Sequence, residues 1–94
     1  MKITECLWLD QFVDKIIRKH HVHPEEVEEA LFAKPFIRKV ESGEVKGEDL
    51  YVAFGRTQAG RLLSVLFVLK KDKRALVISA RDMTTRERKQ YGNR

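Results

Sequence analysis

A chain of 94 residues can bury one hydrophobic core but not two, so a single domain over residues 1–94 is expected. Apolar residues make up 43% and charged residues 35%, which excludes disorder over most of the length and describes a globular domain with a heavily charged surface. The charge is uneven: residues 1–33 carry 4 basic and 7 acidic side chains, a net of −3, whereas residues 34–94 carry 15 and 7, a net of +8.

In chain order, residues 3–8 read as a short strand or an extended lead-in. They include Cys6, the only cysteine, which excludes an intramolecular disulfide framework and reads as a small buried residue among apolar neighbours. Leu9, Phe12, Val13, Ile16 and Ile17 then fall at helical spacing, with Asp14, Lys15, Arg18 and Lys19 on the other face and Asp10 as the expected cap. After a break at His20–His23, Pro24 suits the first position of a second helix, and Glu25, Glu26, Glu28 and Glu29 favour the positive end of its dipole. Val27, Ala30 and Leu31 form its apolar stripe, and its acidic side reads as a solvated surface.

From Pro35 onward the pattern becomes that of strands. FIRKV over 36–40 and LYVAFG over 50–55 alternate, with Gly43 and Gly47 in a polar loop between them. Thr57-Gln58-Ala59-Gly60 reads as a hairpin turn. LLSVLFVL over 62–69 is apolar almost throughout and implies a central strand buried on both faces; ALVIS over 75–79, after a Lys70–Lys73 turn, is the other central strand. Thr84 with Glu87 three residues on is a capping box opening a short final helix, which Gly92 is placed to end. Arg88 and Tyr91 share a face of that helix. The fold class is therefore α+β: a mainly antiparallel sheet of four to five strands against two N-terminal helices and a short C-terminal one.

Several of these residues, in this order and spacing, resemble the BrnT family of bacterial type II toxins, whose members are similar to RelE-type ribonucleases in fold. They are Trp8 before a helix ending in Lys19-His20, then Val22 and Glu25-Glu26, Gly60-Arg61 opening the long apolar strand, Ile78-Ser79-Ala80-Arg81, and Glu87-Arg88 with Tyr91. The resemblance implies a RelE-like fold and an endoribonuclease that inhibits translation. It also implies a cognate antitoxin as partner, usually a ribbon-helix-helix DNA-binding protein, covering the basic face. The chain departs from the family pattern after the tryptophan, with Leu9 where aspartate is usual and Phe12 where lysine is usual.

RNA cleavage of this kind proceeds by attack of the ribose 2′-OH on its own phosphate and requires no cofactor or metal. Guanidinium groups stabilise the developing charge because they stay ionised and present a planar fork to phosphate. Arg61 and Arg81 are the expected pair, near one end of the 61–70/74–81 hairpin and free to meet one phosphate, with Arg88 assisting. Tyr91 could stack on a base or share in proton transfer. In the alternative, Arg81 pairs with Asp82 or Glu87 and pins the helix, with Tyr91 a half-buried edge residue. His20 is a candidate general base; in the alternative it simply interacts with the helix C-terminus, the commoner role of a histidine there. His20, His21 and His23 lack the spacing of zinc signatures.

Lys19, Arg56, Lys70, Lys71 and Arg74 are expected to track the RNA backbone. Local signatures of serine, cysteine or phosphate-loop chemistry are not present. No charged-then-apolar leader or membrane-length apolar run is read, so a cytoplasmic protein is expected. A second function, suggested by Leu9 and Phe12, is a non-catalytic RNA- or protein-binding module on the same scaffold; a third is a structural domain whose basic face binds an acidic subunit.

Overall fold

The structure, a computed structural model, describes residues 1–43 and 48–93. In chain order these form β1 (Glu5–Leu7), α1 (Asp10–His20), α2 (Pro24–Phe32), β2 (Phe36–Glu41), β3 (Leu50–Arg56), β4 (Leu62–Leu69), β5 (Arg74–Asp82) and α3 (Thr85–Gly92). The α+β expectation holds, with one addition. The sheet runs β1-β5-β4-β3-β2, and residues 5–7, left open as strand or lead-in, pair parallel to β5, which makes the sheet mixed. The loop expectation at Gly47 lies outside the described residues.

Alternation within β4 divides the core. Leu63, Val65 and Phe67 are completely buried and face α1 and α2, where they meet Ile16, Val22, Val27 and Ala30. Leu62 and Leu66 face the other way and join Val52, Phe54, Met83 and Tyr91 under α3. A strand apolar on both sides was the reading of residues 62–69. Its second face is only half covered, however, because α3 is one short helix where the first face has two. At the end of β3, Thr57 shapes the turn: its backbone N–H donates to the Arg61 carbonyl (2.9 Å), and its hydroxyl accepts from the Arg61 N–H (3.0 Å). Gly60 closes it at φ 93°, where a side chain would be strained.

Two local expectations are corrected. Leu9, not Asp10, is the N-cap of α1, and Leu9 is 42% exposed rather than part of the apolar stripe. The acidic side of α2 is not a solvated surface. Glu26 accepts from Arg61 (3.1 Å) as well as capping the helix at the His23 N–H, Glu28 accepts from the Trp8 indole (3.0 Å) and Glu29 from the Gln58 N–H (3.0 Å), so three of its four carboxylates tie the helix to its surroundings. Cys6 is half-buried, and burial, with Glu28 and Glu5 nearby, pushes its thiol up to about 12, as suits an inert packing residue.

The break between the first two helices is tightly built. His21 turns into the left-handed region (φ 55°), its N–H donating to the Ile17 carbonyl, while the N–H of fully buried Val22 reaches the Ile16 carbonyl, both at 3.1 Å. The left-handed His21 with its bond to the carbonyl four residues back is an αL closure, and Val22 anchors it in the core.

One irregularity decides where the site residues point. β4 and β5 pair antiparallel from Leu69↔Ala75 to Phe67↔Val77, but the next pair is Leu66↔Ser79. Ile78 is thus an extra residue, a bulge, and from there to the strand end every side chain of β5 lies on the face opposite to the one unbroken pairing would give.

Candidate functional site

Unbroken pairing would set Arg81 opposite Leu63, on the face toward α1 and α2, where Arg61 lies. The bulge instead sets Arg81 opposite Ser64 and Asp82 opposite Leu63. Arg61 and Arg81 consequently emerge on opposite faces of the sheet, and the expectation that they converge on one phosphate is overturned.

Nor is either guanidinium unneutralised. Arg61 donates from Nε to Asp82 Oδ1 (2.7 Å) and from Nη2 to Asp82 Oδ2 (3.2 Å), a bidentate fork. Its Nη1 serves Glu26 Oε1 (3.1 Å) and the His21 carbonyl (2.8 Å), and Nη2 also reaches the His20 carbonyl (3.1 Å). A guanidinium has five N–H bonds, and all five are used. Asp82 holds the Arg61 charge in place, and that arginine first, then Arg88 and His20, keep the Asp82 carboxyl below its usual range. Arg61, Asp82, Glu26, His20 and Arg88 therefore form one cluster, where the end of α1, the start of α2, the end of β5 and α3 meet.

On the other face, Arg81 grips Glu87 through Nη1 (2.8 Å) and Nη2 (2.9 Å), with Nη1 also donating to the Asp82 carbonyl (3.1 Å). Glu87 accepts in addition from the Thr84 N–H (2.9 Å), while Thr84 Oγ1 accepts from the Glu87 N–H (3.1 Å), the expected capping box. The Glu87 carboxyl is held below its usual range, first by Arg81 and then by Thr84. This is the arrangement of the alternative reading, in which Arg81 pins the helix. Its Nε is not engaged among the described contacts, and the side chain is 41% exposed, so Arg81 keeps donor capacity that Arg61 lacks.

Tyr91, one turn after Arg88, is half-buried against Val52, Phe54 and Met83. Arg88 is exposed and forms no ion pair among the described residues. Lys19 is exposed beside His20 at the end of α1, and Arg56 is exposed at the end of β3, its guanidinium over the turn at Gly60. Lys70, Lys71 and Arg74 lie at the β4–β5 turn, at the far end of the eight-residue β4 and so roughly 25 Å from the Arg61 corner. Arg74 pairs with Asp72 (2.7 Å) and Lys70 with Glu48 (3.4 Å).

Asp82 and Glu26 belong to the corner but were missed as site residues. The only signal for Asp82 was its place beside Arg81; Glu26 read as one carboxylate of an acidic helix face. Among the described residues no three His, Cys, Asp or Glu side chains gather as a metal site would need, and no helix is long and apolar enough to cross a membrane.

The model of one protein family, described as the ribonuclease toxin, BrnT, of type II toxin-antitoxin systems, matches residues 8–87. No curated protein matches the chain.

Proposed function

The chain belongs to the BrnT family of ribonuclease toxins of type II toxin-antitoxin systems, and from that premise we propose that it inhibits translation in the cytoplasm by metal-independent endonucleolytic cleavage of RNA. The match over residues 8–87 carries this reading, because it spans α1, α2, β2 to β5 and the first three residues of α3; Arg88 and Tyr91 lie just beyond it. A cognate antitoxin is the partner that such a system implies. A ribbon-helix-helix DNA-binding protein is the form proposed for it.

At the corner, His20 takes the proton of the attacking 2′-OH, the bond to the 5′-oxygen breaks as the cyclic phosphate forms and that oxygen is protonated from water, and Arg88 faces the phosphate with a charge no carboxylate neutralises by direct contact. Arg81 contributes from the α3 face through its remaining donors, and Tyr91 stacks on a base beside it. Arg61 has no donor left for a phosphate, so it is not given that contact. Lys19 and Arg56 flank the corner, and Lys70, Lys71 and Arg74 draw the RNA backbone along the sheet toward it.

Purified protein incubated with total RNA in EDTA tests this reading. Cleavage is expected to leave 2′,3′-cyclic phosphate ends and to slow by about 100-fold or more, to a rate still measurable, in His20→Ala and Arg88→Ala. Intact RNA after incubation with the folded protein would refute it. A second reading, the non-catalytic RNA- or protein-binding module, draws support from the carboxylate partners of Arg61 and Arg81. Salt-sensitive RNA binding without cleavage is its signature.

A further inference from the structure

We infer that Asp82 and Glu26 are positioning residues, which through Arg61 fix the carbonyls of His20 and His21 and thereby place the His20 side chain at the corner. The inference rests on the ribonuclease reading and adds to it two carboxylates that touch no substrate.

Geometry carries the argument. The Arg61 backbone is held at its base by the Thr57 hydroxyl (3.0 Å) and by the turn, so the guanidinium starts from a fixed point. Two carboxylates then grip it from opposite segments: Asp82 from the end of β5, at 2.7 and 3.2 Å, and Glu26 from the first turn of α2, at 3.1 Å. With its other two donors it reaches the carbonyls of His20 (3.1 Å) and His21 (2.8 Å), the last residue of α1 and the left-handed residue that ends it. The α1 terminus is thus fastened to the sheet by a planar group that cannot rotate without breaking several bonds.

The side chains of Arg61, Glu26 and Asp82 are 26%, 29% and 57% exposed, so water screens part of their attraction, but a bidentate fork within a network still fixes the geometry of what it holds. What it holds is the end of α1, and a small misplacement of a catalytic group there can lower a rate by orders of magnitude. Loss of either carboxylate leaves guanidinium donors unmet and frees Arg61 to leave the His20 and His21 carbonyls.

The test is a double-mutant cycle on RNA cleavage. Asp82→Ala and Glu26→Ala are each made in the unaltered protein and in a His20→Gln background; Glu26→Gln, whose oxygen can still accept from both the His23 N–H and Arg61 Nη1, is the conservative control expected to keep kcat within about threefold. Each single alanine variant is expected to lower kcat by about 10- to 100-fold with KM changed by less than about twofold, and to cause no further loss once His20 is gone. Fully additive losses, or a change confined to KM, would overturn the positioning role while leaving the ribonuclease reading in place. No cleavage by the unaltered, folded chain would overturn that reading first, and with it any catalytic part for the clamp.

Discussion

Gly55, near the end of β3, lies where the sheet and α2 approach most tightly. A Cβ built there would stand 2.4 Å from the carbonyl oxygen of Ala30, a backbone atom that can move only if the helix moves. The constraint is space and not backbone angle, since Gly55 is not among the residues at positive φ. Lifting α2 would also disturb Glu26, whose carboxylate helps to hold Arg61 (3.1 Å). Gly55→Ala is therefore expected to destabilise the fold by about 1–3 kcal/mol, the usual range for overpacking. Urea denaturation checks this: the midpoint should fall with little change in slope. An unchanged midpoint would mean that α2 rides further from the sheet than the Ala30 contact implies.

Among the helices, α3 depends most on its electrostatics, because it alone has no fully buried residue. Its first turn is fastened by Glu87, which serves both Thr84 and Arg81. The Glu87 carboxyl has a folded value below the unfolded 4.5, with Arg81 the largest cause. Such a depressed carboxyl contributes stability that is fully present above the unfolded value and is lost as pH falls through the folded one. Asp82, depressed mainly by Arg61, acts in the same direction. Melting temperatures followed from neutral pH down through the carboxylate range should therefore fall for the unaltered protein. Glu87→Gln, which can still cap Thr84, should start lower at neutral pH and lose less on acidification. Parallel curves for the two proteins would remove the Arg81–Glu87 pair from the account of α3.

These same elements separate what was legible in the sequence from what was not. The bounds of β4, Pro24 at the start of α2, the Thr57–Gly60 turn and the Thr84–Glu87 box are all set by residues a few positions apart, and all read correctly. The convergence of Arg61 and Arg81 did not, because it counted residues along a hairpin as if pairing were unbroken. One bulged residue, Ile78, reverses the face of Arg81, and no local pattern announced it. The partners of Arg61 were equally hidden: Asp82 is 21 residues away and Glu26 is 35, so only the folded chain brings them together.

At the scale of the whole molecule, the acidic first part and basic second part of the chain do not become two opposed surfaces. Glu26, Glu28 and Glu29 are engaged by Arg61, Trp8 and the Gln58 backbone, which takes up part of the acidic charge of the first part. Two groups of exposed or half-buried cations bear on RNA binding: the corner with Lys19 and Arg88, and the β4–β5 turn roughly 25 Å away along β4. A polyanion bound along the sheet would meet both, but only the corner adjoins the groups proposed for chemistry. Binding and cleavage should then separate by mutation. Lys70→Ala combined with Lys71→Ala is expected to weaken RNA binding and to reduce the slope of log affinity against log salt by about 1 to 2, since each lost phosphate contact releases one fewer counterion. The rate of cleavage at saturating RNA should be unchanged, because neither lysine approaches the corner. Filter-binding isotherms over a salt series, paired with single-turnover cleavage on the same RNA, measure the two quantities independently. A fall in the saturated rate would place the reacting phosphate near the turn and detach the chemistry from the α1/β5/α3 corner.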